Sequence, residues 1–160
     1  MRPSARGLLD IWQQRPLGNY DRRDGCGDNG ATGAATTACA LLTKAEVAQA
    51  TGQSIAFSKQ ANLGSVSTCT FGSVSGFAVV LSVTNTPAAG LSSGIPGLGN
   101  LVSRYHLTPV SGIGDQAYGG ADAIVARKGN TAFAIVYAAI GGGNHEQALK
   151  TMATDVASRL

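Results

Sequence analysis

The stretch GFAVVLSVTN, residues 76–85, carries the strongest strand pattern in the chain. Its larger apolar residues recur at every second position, which places their side chains together on one face of a β-strand. These residues are Phe77, Val79, Leu81 and Val83. The pattern therefore predicts a strand that contributes one face to a hydrophobic core.

Weaker strand patterns lie on both sides of this segment. SIAFSKQA (54–61) and STCTFGS (67–73) precede it and are separated by a turn-like Asn-Leu-Gly sequence. After it, ADAIVARKGNTAFAIVYAAI predicts a hairpin whose strands, 121–126 and 131–140, are joined by the turn sequence RKGN. GIGDQAYGG (112–120) is interpreted as a turn-rich connection.

The first predicted helix has a clear start and stop. Thr43 and Glu46 have the S/T-x-x-E spacing of a capping box, in which each side chain accepts a hydrogen bond from the other residue's backbone N–H. The box predicts a helix over 44–51, and Gly52 supplies its end.

Two further helices are predicted from apolar residues at helical spacing. One ends at about His106 and is marked by Leu98, Leu101, Val102 and Tyr105. The other follows a cap at Asn144, and its apolar stripe consists of Leu149, Met152, Ala153, Val156 and Leu160. The predicted order is α-β-β-β-α-β-β-α. This order indicates an α+β fold, a largely antiparallel sheet of five to six strands with three helices packed on one face.

Composition divides the chain into three parts. With 160 residues, 44% of them hydrophobic, it suits one globular domain with a substantial core, which we place at 39–160. Residues 1–25 are predicted to be a disordered or non-native leader, and 26–38 a flexible Gly/Ala/Thr linker. No apolar run reaches the length of a membrane span.

The positive net charge does not predict a nucleic-acid partner. The chain carries a formal +3, but residues 39–160 hold seven Lys or Arg against five Asp or Glu, which leaves only +2. Binding to a phosphate backbone needs several clustered cations, and within residues 39–160 only Arg127 and Lys128 are adjacent.

Catalytic and metal motifs are missing from the sequence. Neither His106 nor His145 has His, Cys, Asp or Glu at metal-binding spacing, so both are interpreted as structural, with His145 on a solvated first turn. The G-x-S-x-G sequence does not occur. We therefore predict no catalytic residue, no metal, no cofactor and no enzymatic activity.

Three residues are candidate ligand contacts. Asp115, in Gly-Ile-Gly-Asp-Gln-Ala, either bonds its own backbone and fixes a turn or contacts a ligand. Tyr105, near the end of the second helix, and Tyr118, in the same connection as Asp115, are the other two candidates.

Cys39 and Cys69 are the best candidates for a disulfide. One precedes the first helix and the other lies within the second strand. In an oxidising compartment a bridge would close a loop of about 30 residues and contribute roughly 3–4 kcal/mol to stability. In the cytosol the same cysteines would be two buried thiols.

The motifs CALLTKAEV, beginning at Cys39, CTF at Cys69 and GIGDQA at Gly112 resemble those of actinobacterial lipoproteins of unknown function. More distantly, the pattern is similar to the extracellular sensor domain of mycobacterial serine/threonine kinases. The resemblance covers about residues 38–160. It implies an exported domain with a Cys39–Cys69 disulfide, tethered to the membrane through a lipidated cysteine.

Only part of the sequence around Cys26 matches that of a lipidated cysteine. Gly25 precedes it and a polar linker follows, but Arg23 and Asp24 stand where a lipobox has Leu and a small residue. We therefore expect an extracytoplasmic, membrane-anchored protein, or a cytoplasmic one if 1–25 are the native start.

The expected function is that of a non-enzymatic binding or sensor domain. Its partner would be an unknown small molecule, an envelope polymer or an envelope protein, with membrane contact only through a lipid on Cys26. The alternative is an accessory module of the cell envelope that binds a protein partner and has no ligand of its own. A deep apolar pocket near Asp115 would favour the first function, and a flat exposed apolar patch the second.

Overall fold

The structure is a computed structural model that describes residues 37–85, 91, 95, 99–140 and 142–160. These residues belong to one compact unit that spans 33–160. The predicted leader, most of the predicted linker and Cys26 lie outside the described residues, as does most of the segment 86–98.

The described residues form one sheet of seven strands, in which every neighbouring pair is antiparallel. The strand order is β1-β2-β3-β7-β6-β5-β4. The strands are β1 (Phe57–Leu63), β2 (Val66–Gly72), β3 (Phe77–Asn85), β4 (Thr108–Val110), β5 (Gln116–Gly119), β6 (Ala123–Lys128) and β7 (Thr131–Ala139). Two meanders, β1 to β3 and β4 to β7, thus meet where β3 pairs with β7.

The expected antiparallel α+β class is confirmed, but the expected number of strands was too low. β4 lies between the end of the predicted second helix and the connection predicted over 112–120, and β5 lies within that connection. They are three and four residues long, and β4 contains Pro109, so neither is long enough to show alternation. Their strand conformation comes from pairing with each other and with β6.

The number of helices also differs from the three predicted, because a further short helix lies ahead of the capping box. The described residues contain four, which are α1 (Ala38–Leu41), α2 (Lys44–Thr51), α3 (Leu101–Arg104) and α4 (Glu146–Ser158). α2 has the predicted bounds and the predicted capping box, and it ends at Gly52, whose φ is +68°. No helix in the described part of the chain is both long and apolar enough to cross a bilayer.

The main core lies between one face of the sheet and the helices α1, α2 and α4. The alternating residues of β3 that the sequence singled out are all buried in it. α4 contributes its predicted apolar stripe, of which Leu149, Met152, Ala153 and Val156 are fully buried. The Nζ of Lys128 donates to the carbonyl of Ala157 at 2.8 Å and holds the end of α4 against the sheet.

A second, smaller core covers the opposite face of β6 and β7. There Ala123, Val125, Ala132 and Ala134 meet residues of the segment 91–107, including Leu91, Ile95 and Leu107. The side chains of Leu101, Val102 and Tyr105 pack against the same cluster. The expectation that all helices lie on one face is therefore wrong for α3, because β6 and β7 are apolar on both faces and need cover on both.

The predicted disulfide is present and joins α1 to β2. Cys39 and Cys69 are bonded, with their Cα atoms 5.1 Å apart and a sequence separation of 30. Beside it, the backbone N–H of Ala38 donates to the buried Oγ of Ser67 at 3.0 Å. The start of the domain is thus fixed to the second strand by one covalent bond and one hydrogen bond.

Candidate functional site

Two cavities lined by described residues differ in the polar groups that they offer a small ligand. The larger, an open groove of about 400 Å³, lies between β4 with its following loop and the outer side of α4. Its charged side chains, Glu146 and Lys150, already pair with each other at 2.6 Å. The hydroxyl of Thr154 donates to the carbonyl of Lys150. The groove therefore offers a ligand few groups that lack a partner.

The smaller cavity, which we call the His145 pocket, has a volume of about 230 Å³. It lies where β7 ends and α4 begins. Its walls are formed by Tyr105, Asp122, Tyr137, Ala138, Ala139, Gly142 and His145. Titratable side chains from four separate parts of the chain meet there.

The turn between β5 and β6 holds the pocket together. The backbone N–H of Tyr137 donates to the carbonyl of Asp122 at 2.7 Å, and that of His145 donates to the carbonyl of Ala121 at 3.0 Å. Two consecutive carbonyls thus position the end of β7 and the residue that precedes α4. The exposed carboxylate of Asp122 is carried on this same turn.

Aromatic stacking fixes the orientation of His145. Its imidazole stacks on the ring of Tyr137 with centroids 3.7 Å apart, and Tyr137 stacks in turn on Phe77 at 5.6 Å. Burial raises the pKa of the Tyr137 hydroxyl above its usual value of 10.0. Tyr137 therefore remains a neutral phenol that can both donate and accept a hydrogen bond.

The Nε2 atom of His145 is buried and has no hydrogen-bond partner among the described residues. Arg127 Nε is the other buried side-chain nitrogen of the described residues in this state. The backbone of Gly143 lies against the imidazole, since a Cβ placed on this glycine would be 2.8 Å from Nε2. Leaving such an atom without a partner costs about 1–3 kcal/mol, so its environment calls for a hydrogen-bonding group.

The expectation for His145 was only partly right. The N-cap of α4 is His145 and not Asn144, although the Oδ1 of Asn144 accepts a hydrogen bond from the backbone N–H of Glu146 at 3.0 Å. His145, however, does not lie on a solvated turn: its side chain is half-buried and stacked on Tyr137. His106 is the exposed histidine, just beyond α3, with a φ of +51°.

Of the three ligand contacts proposed from the sequence, Tyr105 lines the His145 pocket. Asp115 accepts a hydrogen bond from the backbone N–H of Gly129 at 2.7 Å, and so ties the start of β5 to the turn between β6 and β7. The hydroxyl of Tyr118 accepts a hydrogen bond from the side chain of Gln116 at 3.1 Å. The structure thus does not place Asp115 and Tyr118 among the residues that line the pocket.

The sequence did not predict that Asp122, Tyr137 and His145 belong to a site. One signal was available, because His145 follows three consecutive glycines, 141–143, and such a run brings backbone close to a side chain. Asp122 and Tyr137 carry no comparable signal. They become neighbours only through the pairing of β6 with β7.

The chemistry of the pocket is that of hydrogen bonding. It offers a carboxylate, an imidazole and two phenols, but its lining includes no Ser, Thr or Cys to act as a nucleophile. The described residues contain no group of three or more His, Cys, Asp or Glu that could hold a metal ion.

Comparisons of the chain with protein-family models, curated proteins and solved structures each found no match. The chemistry of the pocket itself is therefore the basis on which a function can be proposed.

Proposed function

We propose that this protein is a non-enzymatic, extracytoplasmic, lipoprotein-like binding or sensor domain, and that the His145 pocket is its recognition site. The observation that carries the proposal is that His145, whose buried Nε2 has no hydrogen-bond partner among the described residues, lines a cavity of about 230 Å³. A ligand group that forms a hydrogen bond with Nε2 would remove the free-energy cost that this unpaired atom carries in the free domain.

The ligand class follows from the groups that surround the cavity. Imidazole and phenol groups donate and accept, and the Asp122 carboxylate accepts, which together match the hydroxyl groups of a small polyol or of one sugar ring. The volume is below the roughly 300–1,000 Å³ typical of sites for drug-sized molecules. We therefore favour a small hydroxylated molecule or a terminal sugar of an envelope polymer.

The proposed compartment is supported by two features. The Cys39–Cys69 disulfide is of a kind that persists in oxidising surroundings and is rare in the cytosol. The resemblance to actinobacterial lipoproteins implies export as well, with Cys26 as the lipidated residue. Cys26 lies outside the described residues, so its role rests on the sequence alone.

The recognition site can be tested by NMR of the two histidines in the full chain. Probes would be D-glucose, N-acetyl-D-glucosamine and glycerol. We expect saturable shifts of the His145 ring resonances with at least one probe, and none at the exposed His106. His145→Phe keeps an aromatic ring on Tyr137 but removes both nitrogens, so it should abolish the shifts of neighbouring residues. His106→Asn is the matched control and should bind as the parent does.

Two results would overturn this proposal. Equal shifts at both histidines, or shifts that persist in His145→Phe, would show that the pocket is not the binding site. Conversion of a probe into a new compound would contradict the non-enzymatic part of the proposal.

A second candidate function is that of an accessory module that binds an envelope protein. It is favoured by four large apolar side chains that are exposed among the described residues: Phe57, Leu63, Val74 and Ile140. Val74 is 96% exposed at the turn between β2 and β3, and Ile140, 92% exposed, lies beside Gly76 at the same end of the sheet. If this function is correct, chemical crosslinking in envelope fractions should join the parent chain to a partner protein. The Val74→Ser and Ile140→Ser variants should not form this adduct, but they should keep the sugar-induced NMR shifts.

A further inference from the structure

The two edges of the sheet differ in a way that points to a partner. β4 is a protected edge, because it has three residues and one of them is Pro109. β1 has seven residues, FSKQANL, without proline, and all seven are exposed. Among the described residues nothing pairs with the outer side of β1. A long edge of this kind is a template for another strand.

The hydrogen-bond pattern identifies the groups that β1 presents at this edge. The N–H of Ser73 donates to the carbonyl of Phe77 at 3.2 Å, so Ser73 continues the β2–β3 pairing and its backbone groups face β3. The backbone groups of the preceding residue, Gly72, therefore face the opposite neighbour, β1. The N–H of Ala56 indeed donates to the carbonyl of Gly72 at 2.8 Å. Because backbone direction alternates along a strand, the free N–H and C=O groups of β1 belong to Ser58, Gln60 and Asn62.

We infer that β1 pairs antiparallel with β1 of a second copy of this chain, around a two-fold axis at Gln60. In this register Gln60 lies opposite Gln60 of the second copy, Ser58 opposite Asn62, Phe57 opposite Leu63 and Lys59 opposite Ala61. Such an interface is isologous and closes on itself, as in most homodimers.

The side chains of β1 select this register. Phe57 and Leu63 are 51% and 75% exposed, and the pairing brings them together twice. They meet in pairs that are not hydrogen-bonded, where side chains approach most closely.

Neighbouring registers are less favourable. A shift by two residues in one direction would place Lys59 opposite another Lys59, and a shift in the other direction would leave Phe57 without a partner. Shifts by one residue are excluded by the alternation of the backbone groups. The inferred register therefore combines apolar contact with the absence of like-charge contact.

The pairing does not depend on the proposed ligand. β2, β3 and β7 separate β1 from the pocket, so each copy would keep its own His145 pocket open. Loss of the dimer and loss of ligand binding are thus distinguishable outcomes.

Charge substitutions at Ala61 test the pairing with Lys59. In the full chain, Ala61→Glu would set two carboxylates opposite two lysines, whereas Ala61→Lys would set four positive charges together. We expect the dimer dissociation constants of these two variants to differ by about tenfold, with the Glu variant tighter and the difference reduced by salt. Asn62→Glu and Asn62→Lys are matched controls, because Asn62 faces the uncharged Ser58, and they should differ little.

Single cysteines test the register. Across a hydrogen-bonded antiparallel pair the Cα atoms are about 5.5 Å apart, within the range of about 4.4–6.8 Å that a disulfide spans. In a Cys26→Ser background, Gln60→Cys should therefore oxidise to a covalent dimer. Ser58→Cys should not, since its two copies would stand roughly 14 Å apart.

Sedimentation equilibrium and non-reducing electrophoresis give the readouts. Three results would support the inference. The chain should form dimers in a concentration-dependent way, Ala61→Glu should dimerise more tightly than Ala61→Lys, and a disulfide should form between cysteines at position 60 but not at position 58. A chain that stays monomeric up to about 1 mM would overturn it. So would a dimer that ignores the charge at position 61 or that crosslinks equally at 58 and 60.

Discussion

His145 combines two conditions that seldom occur together in one side chain. Its ring is held by stacking on Tyr137, while its Nε2 is buried without a partner among the described residues. Packing alone does not explain this arrangement, because an apolar ring would stack equally well without the cost of an unpaired nitrogen. A side chain that breaks a local rule in this way is a reasonable candidate for function.

Gly143 should prove necessary for the position of that ring. A methyl group at 143 would lie 2.8 Å from Nε2 and 2.9 Å from Cε1 of His145, so Gly143→Ala must displace the imidazole. We expect large changes in the ring resonances of His145 and Tyr137, and loss of any ligand-induced shifts.

Gly142→Ala is the control for Gly143→Ala. Gly142 has a φ of +67° and no atom within 4 Å of an added Cβ, so this change should cost about 1 kcal/mol through the backbone. It should leave the imidazole stacked. Unchanged His145 resonances in Gly143→Ala would contradict the close contact.

The sequence predicted one residue of the site, but it did not predict which residues lie close together in the folded chain. Tyr105 was identified as a candidate and lines the pocket, whereas Asp115 was identified and bonds to Gly129. The decisive neighbours, Asp122 and Tyr137, are fifteen residues apart and meet because the β6–β7 hairpin folds back. Contacts of that kind depend on register, which residue patterns do not specify for short, alanine-rich strands.

At the scale of elements, α2 is held by one carboxylate that performs two tasks. Glu46 completes the capping box with Thr43, and it also forms a bidentate ion pair with Arg159 near the chain's end. The same guanidinium donates to the carbonyl of Leu41 at 2.7 Å. α1, α2 and the end of α4 are thus connected through a single side chain.

This arrangement predicts a defined loss of stability in acid. The hydrogen bond from Arg159, assisted by those from Thr43, lowers the pKa of Glu46 from 4.5 to about 2. A carboxyl whose pKa is lower in the folded state stabilises the fold above its unfolded pKa. That contribution should be lost as the pH falls from 4.5 toward about 2.

Urea unfolding at a series of pH values measures this dependence. Glu46→Gln should flatten the curve over the stated window, because it removes the titrating group. Arg159→Lys is the matched variant, since an ammonium cannot form the bidentate pair and the pKa of Glu46 should return toward 4.5. A parent-like acid slope in Glu46→Gln would show that another carboxyl is responsible.

The disulfide makes a separate prediction for the α1–β2 connection. Cys39→Ala with Cys69→Ala opens a loop of about 30 residues, and the free energy of unfolding should fall by roughly 3–4 kcal/mol. Cys26→Ser is the control and should leave stability unchanged. If the double variant unfolds at the same urea concentration as the parent, the bridge adds nothing to the fold.

Elements with strong local signals were predictable, and those formed by tertiary pairing were not. α2 has its predicted bounds because the capping box and Gly52 define both of its ends locally. β3 differs by one residue from its predicted start, since alternation over nine residues is unambiguous. β4 and β5 have no such pattern, and their conformation depends on the neighbouring strands.

At the scale of the whole molecule, the sheet is covered unevenly. One face is packed against α1, α2 and α4, whereas cover on the other face is centred on β6 and β7. The β1 side keeps exposed residues, among them Phe57, whose ring lies over Gly72. The pocket and the open edge thus occupy different parts of the domain, so ligand binding and dimer formation can be separated by substitution.

Tethering to a membrane is the remaining prediction at this scale. If the chain is exported and anchored as the resemblance implies, intact protein from its native host should begin at Cys26 and carry added acyl chains. Cys39 and Cys69 alone should become alkylatable, and only after reduction, because the Cys26 thiol would be blocked by lipid. Two lipid chains would give stable anchoring, whereas a single chain binds membranes reversibly.

A different result of the same mass measurement would contradict this prediction. An unlipidated chain that begins at Met1 and has three alkylatable thiols without reduction would contradict both the anchor and the oxidising compartment. A Cys26→Ser chain expressed in the host is the control, since it should lose the acyl mass and leave the membrane fraction while the Cys39–Cys69 bridge remains. Retention of that bridge without the lipid would show that export and anchoring are separate properties of the protein.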